Sequence, residues 1–187
     1  KEDFQNFIDY VINRHYPEIL NNESPYLELL KVIMKKHIDL VVDWMRVGFI
    51  HGVMNTDNMS ISGETIDYGP CAFINTYNPN TVFSSIDKNG RYAFGNQYKI
   101  TYWNLTVFAG TILSFIDSDK DKAIKLVQKI LNQFPIEYSN QWYKMMYKKI
   151  GITNPIEEDK VLIINLLKLM ESYKADYTNT FASLALN

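Results

Sequence analysis

The sequence predicts a mainly α-helical domain interrupted by one long irregular segment. Apolar residues recur three and four apart over most of the chain, and that period disappears between Phe49 and Asn96. With 187 residues, 47% of them hydrophobic and 14% aromatic, the chain is long and apolar enough for one domain with its own core.

The first stripe is Phe4, Phe7, Ile8, Val11 and Ile12, and it stops at Tyr16-Pro17. Ser24-Pro25 reads as a cap followed by a first-turn proline. It opens a second helix through Leu30, Ile33, Met34, Val41 and Trp44 toward Gly48. Beyond Phe49 stand short β-prone pieces, Met59 to Ile61 and Thr65 to Ile66, around a Ser62-Gly63 turn, and then a stretch rich in Asn, Asp, Pro and Gly. Helical patterning returns at Ile100 to Ile116, apolar nearly all round and therefore expected to be buried. It resumes at Ala123 through Phe134 behind an Asp117-Ser118-Asp119 cap. Two more helices follow, Ile136 to Ile150 ending at Gly151, and Glu157 to Met170 entered through Asn154-Pro155. There is no internal repeat and no low-complexity linker.

Composition excludes a disordered tail, a collagen-like fibre and a disulfide knot. The 19 Lys plus Arg nearly balance 21 Asp plus Glu, for a formal charge of -2. Only Arg14, Arg46 and Arg91 are arginines and no basic run occurs, so no nucleic-acid partner is expected. The one cysteine, Cys71, has no partner for an internal disulfide, which makes a reducing cytosol the default compartment. The longest apolar stretches, Thr106 to Ile116 and Val161 to Met170, fall short of the roughly 20 residues a membrane span needs. The chain opens on Lys1-Glu2-Asp3 with neither an initiator Met nor a signal segment, and is expected to be a piece of a longer protein.

A long loop without regular structure inside a compact domain is usually functional. This one reads Gly48-Phe49-Ile50-His51-Gly52-Val53-Met54-Asn55-Thr56-Asp57-Asn58, and nine residues later comes Asp67-Tyr68-Gly69-Pro70. Protein kinases hold magnesium with such a pair, an Asn from the catalytic loop and the Asp of an Asp-Phe-Gly motif. Mg²⁺ takes oxygen ligands, using one or two protein groups together with nucleotide phosphates, and Asn58 and Asp67 meet that demand. The comparison also exposes a departure. Two residues after the His, where kinases carry the Asp that takes the acceptor proton, this chain has Val53. Asp57 is the nearest carboxylate.

The run HGVMNTDNMSISGETIDYGP, with GRYAFGNQ at Gly90 to Gln97 and Trp103-Asn104-Leu105, resembles the selenoprotein O family, known in bacteria as YdiU proteins. The resemblance extends from Arg14-His15-Tyr16-Pro17 to Asp176-Tyr177-Thr178. It implies a protein-kinase-like fold, long called a pseudokinase because the usual base is missing. Residues 1–187 would then form a single C-lobe, a helical bundle with a small β-hairpin carrying the catalytic and metal loops. The implied activity is a nucleotidyltransferase one, moving AMP from ATP to Ser, Thr or Tyr hydroxyls of proteins, with the nucleotide flipped relative to kinases. By the same resemblance Asn58 and Asp67 are the Mg²⁺ (or Mn²⁺) and nucleotide ligands, and Asp57 is the catalytic-loop carboxylate. The partners are ATP and hydroxyl-bearing protein substrates, with no nucleic acid and no membrane. The compartment is the cytoplasm in a bacterium and the mitochondrion in a eukaryote.

Several positions depart from the family pattern. Some members pair a cysteine at the position of Cys71 with one near the chain end, and no second cysteine is present here. Tyr98 replaces a usual proline, and Ser85-Ile86-Asp87 stands where His-Ser-Asp is common. The family's Gly-rich loop, nucleotide-binding Lys, partner Glu and phosphate-binding arginines have no counterpart in these residues. The isolated chain is therefore expected to be inactive.

Other assignments stay open at this level. A non-catalytic pseudokinase module binding nucleotide and protein partners competes with the enzyme, on the strength of Val53. A small-molecule kinase would need γ-phosphate transfer, which Val53 disfavours. His51 either takes part in catalysis or braces the loop, and Asp57 is either a base or a turn residue. Arg91 is expected in a structural salt bridge unless it binds phosphate. Cys71 reads as a half-buried thiol, and Trp142, Tyr143 and Tyr147 as helix packing. Lys144, Lys148 and Lys149 read as a solvated helix face.

Overall fold

The computed structural model describes residues 2–186. Its architecture is mainly helical, seven α-helices among the described residues, with one two-stranded antiparallel sheet. Helix α1 (Glu2–His15) carries Glu2 and Asp3 in its first turn and Arg14 and His15 in its last, the arrangement a helix dipole favours. Only Ile8, Val11 and Ile12 of its expected stripe are buried; Phe4 and Phe7 face a groove.

Helix α2 (Pro25–Val47) is the central pillar, packing on most of the later helices. Proline stands at its first turn as expected, but the Ser24 side chain makes no capping bond. The Ser24 carbonyl instead accepts from the Leu27 and Glu28 amides. At the other end Gly48 adopts the left-handed conformation (φ +75°) that closes a helix. Strand β1 (Phe49–Ile50) follows and pairs with β2 (Ala72–Phe73), Phe49 opposite Phe73 and Ile50 opposite Ala72. The sheet is thus displaced from the expected β-prone pieces, which contribute only an isolated Met59–Thr65 bridge. Between those bridge residues the Ser60 and Ile61 carbonyls accept from the side chains of His37 in α2 and Tyr16 just beyond α1 rather than from a strand partner.

Helix α3 (Gln97–Ile116) buries Ile100, Leu105, Ala109 and Ile112 on one side while Trp103 and Val107 lie exposed, so the expectation of all-round burial fails. Helix α4 (Lys120–Leu131) is capped as expected: the Asp119 carboxylate accepts from the Asp121 and Lys122 amides, and Asp117 pairs with Lys122 at 2.5 Å. Helix α5 (Phe134–Lys149) starts earlier than its apolar pattern indicates, because Pro135 fits the first turn. Helix α6 (Asp159–Ser172) follows, with Asp159 accepting from the Ile156 amide.

Helix α7 (Tyr177–Leu186) was not foreseen. It is fastened by Tyr177, whose hydroxyl donates to the Met45 carbonyl (2.7 Å) and whose amide donates to the Asn75 carbonyl. One continuous core joins all of these helices to β1. No helix among the described residues is long and apolar enough to cross a membrane.

Candidate functional site

The segment from His51 to Pro70 follows α2 and β1 and returns to β2, so both of its ends hang from one helix terminus and one small sheet. Gly52 is needed where the segment doubles back. Its φ is +88°, and a Cβ there would lie 2.8 Å from the Pro70 carbonyl oxygen.

Helix α3 holds the start of this segment by polar atoms on its buried face. Gln97, fully buried, accepts from the His51 amide (3.1 Å) and donates to the Phe49 carbonyl (3.0 Å). Two turns further along the same face, Asn104 donates to the Met54 carbonyl (3.0 Å). Both satisfy backbone groups that burial would otherwise strand, each worth a penalty of about 1–3 kcal/mol if left unpaired. The buried His51 ring lies against Trp44 and Phe49, and its Nε2 donates to the Ile66 carbonyl at 2.8 Å. Of the two readings of His51, the geometry is that of a brace.

Asp57 and Asn58 occupy a short 3-10 turn, Thr56–Asn58. The Asn58 amide donates to the Asn55 carbonyl, and its side-chain Nδ2 donates to the Val53 carbonyl at 3.0 Å. That bond fixes the amide rotamer, so that of the two side-chain atoms Oδ1 is the one that could hold a cation. Asp57 is exposed and forms part of the wall of a groove of about 600 Å³ whose other walls are mostly apolar residues of α1, α2 and α3. The turn is secured from outside by Tyr92, whose hydroxyl donates to Asn55 Oδ1 at 2.6 Å. Tyr92 is in turn placed by Asp87, which accepts from the Arg91 and Tyr92 amides.

Asp67 sits at the far end of the hairpin with φ +52°, a left-handed conformation unusual for a residue with a side chain. Its carbonyl accepts from the Gly69 amide (2.8 Å), and its side chain is exposed between Ile66 and Tyr68. Among the described residues no group of three or more His, Cys, Asp and Glu side chains could by itself hold a metal ion. One amide oxygen and one carboxylate suit a hard cation that completes its shell with water and phosphate, not an all-protein cage.

Four other open assignments are resolved by contacts. The Arg91 guanidinium lies 4.7 Å from the Trp103 ring centroid and joins no ion pair among the described residues, which corrects the expected salt bridge. Lys149 is not part of a solvated face. It donates to the Arg46 carbonyl (2.6 Å) and lies over the rings of Tyr177 and Phe181, and burial lowers its pKa below the ordinary lysine value. Cys71 is half-buried and free, and Trp142, Tyr143 and Tyr147 pack within and beside α5, as read from the sequence.

Gln97, Asn104 and Tyr92 were not singled out as supports. The signal for the first two was a polar side chain on the inward face of an apolar helix; Tyr92 carried none.

The family sequence model described as protein adenylyltransferase SelO matches residues 1–187. A protein nucleotidyltransferase YdiU of Bacillus cereus (strain AH187) is 52% identical over 186 residues, covering 100% of this chain and 38% of the relative. One of Pelagibacter ubique (strain HTCC1062) is 55% identical over 182 residues, covering 97% of this chain and 38% of the relative. The chain therefore spans well under half the length of these relatives. With the match running from end to end, and through the hairpin that bears Asn58 and Asp67, the chain belongs to the protein adenylyltransferase SelO family.

Proposed function

We propose that these residues are the kinase-like C-lobe of a cytosolic protein adenylyltransferase that moves AMP from ATP to hydroxyl side chains of proteins. The observation that carries this reading is the placement of Asn58 and Asp67 at the two ends of one hairpin within a chain that matches the family throughout. Asn58 Oδ1 and the Asp67 carboxylate would hold Mg²⁺ or Mn²⁺. When bound, that ion neutralises charge developing on the phosphates.

Asp57, exposed beside Asn58 and next to open space, orients the acceptor hydroxyl or takes its proton. The bond formed joins that hydroxyl oxygen to the α-phosphorus of ATP; the bond broken is the one from the α-phosphorus to its bridge oxygen, and pyrophosphate leaves. Val53 occupies the slot of the usual kinase base, which fits attack at the α- rather than the γ-phosphorus. Because such transfer depends on positioning and electrostatics supplied from both sides of the nucleotide, residues 1–187 alone are expected to transfer little AMP.

The same Val53 supports a second reading, a non-catalytic pseudokinase module that binds nucleotide and protein partners. Incubating the full-length protein with ATP radiolabelled at either the α- or the γ-phosphate separates the two. Label from the α position, lost in Asp67→Ala, is the expected result. Label from neither position supports the binding module, and normal labelling by Asp67→Ala removes Asp67 from the site.

A further inference from the structure

The eight residues between Asn58 and Asp67 are gripped from one side by three side chains that no part of the reaction uses directly. His37 Nε2, on α2, donates to the Ser60 carbonyl at 2.9 Å. The Tyr16 hydroxyl, just beyond α1, donates to the Ile61 carbonyl. Trp44 Nε1, two helical turns past His37 on the same face of α2, donates to Thr65 Oγ1 at 2.9 Å. The tip of the hairpin also rests on α2, since a Cβ added at Gly63 would lie 2.7 Å from Lys36 Cβ. All three donors are buried aromatic side chains, so their rotamers are held by the core.

The arm leaving Asn58 is thus pinned at residues 60 and 61, and the arm arriving at Asp67 is pinned from α2 at residue 65, beside the Ile66 carbonyl that His51 holds. A rigid helix, rather than the short Met59–Thr65 bridge, sets how far apart the two arms lie. A loop joined only by that bridge would not hold two exposed ligands in register, because an isolated hairpin is marginal in water.

We infer that Tyr16, His37 and Trp44 are positioning residues for the cation site, acting through the hairpin to fix the separation of Asn58 and Asp67. This rests on the assignment of those two residues as ligands, made above. Outer partners that orient ligands typically matter by 10- to 100-fold in metal affinity, even when they never touch the ion.

The test uses full-length protein, with Mn²⁺ binding in the presence of ATP read by electron paramagnetic resonance and AMP transfer followed in parallel. Tyr16→Phe and Thr65→Val each delete one hydrogen bond while keeping shape, and His37→Gln keeps a donor that His37→Leu lacks. The expected result is an Mn²⁺ midpoint raised about tenfold in Tyr16→Phe with Thr65→Val combined, and in His37→Leu. His37→Gln is expected to stay within about threefold of the parent protein. At saturating Mn²⁺ any transfer rate should return to near the parent value. Midpoints unchanged in variants whose melting temperature falls would overturn the inference, leaving these contacts purely structural. If the parent protein binds Mn²⁺ but transfers no AMP, and the midpoints still shift, the adenylyltransferase reading fails while the positioning role stands. Failure of the parent protein to bind Mn²⁺ would overturn both the ligand assignment and the positioning role.

Discussion

The Tyr92 hydroxyl donates to Asn55 Oδ1 across 2.6 Å, tying the loop before α3 to the turn that carries Asp57 and Asn58. Both residues are otherwise supported by their own neighbours, so the bond governs the turn's orientation more than the stability of the domain. Tyr92→Phe is expected to lower AMP transfer by the full-length protein about fivefold while shifting unfolding by only about 1 kcal/mol. Steady-state transfer assays beside denaturant melts would show it.

Asp67 keeps a left-handed backbone conformation that costs a residue with a side chain roughly 1 kcal/mol. Asp67→Gly should therefore raise stability by about 0.5–1 kcal/mol and at the same time abolish transfer. Asp67→Ala should abolish transfer and lower stability. Urea unfolding of the two variants, compared at one pH, checks the opposite signs.

Burial lowers the pKa of His37 below its ordinary value of 6.5, with only the hydrogen bond to Ser60 working the other way. A base with a depressed folded-state pKa is neutral in the fold and takes up a proton more readily when unfolded. Its contribution is therefore constant above pH 6.5 and is lost as the pH falls below 6.5 toward the depressed value. Thermal melts of the parent protein should drop between pH 7 and pH 5, and His37→Gln should flatten that portion of the profile.

Lys149 joins α5 to the end of α2 and to α7 at once, through the Arg46 carbonyl and the rings of Tyr177 and Phe181. Lys149→Met keeps the apolar stem and removes the charge and the donor. It should cost about 1–2 kcal/mol and release α7 first, seen as faster amide exchange from residues 177–186 than from α2.

What could be read from the sequence divides along physical lines. Helices α2 and α4 announced themselves through Pro25, Gly48 and Asp119, local signals that act within one turn of the chain. The loop bearing Asp57, Asn58 and Asp67 stood out because its polar residues had no packing explanation. Helix α7 was missed because it is short and its anchor is a single tyrosine whose partner lies far away in sequence. The sheet was misplaced for a related reason. Phe49 and Phe73 are paired by the closure of the whole loop, and nothing within either dipeptide signals it. Arg91 was misjudged because an aromatic ring, which carries no formal charge, took the place of the expected carboxylate, and Lys149 because α7 and the end of α2 cover what the local pattern leaves as a solvated face.

The hydrogen bond from Tyr177 to Met45 spans 132 residues, whereas those from Tyr16 and Trp44 to the hairpin span 45 and 21. Short loops close early and long ones late, since chain entropy opposes them more. The hairpin can therefore settle on α2 soon after that helix forms, with the last helix still undocked. Yet the turn at Gly48 lies against the Tyr177 ring, close enough that an added Cβ would come within 3.0 Å of it. On loop-closure entropy, the loop bearing Asp57 and Asn58 is expected to take shape first and its point of departure from α2 to be locked last, by α7.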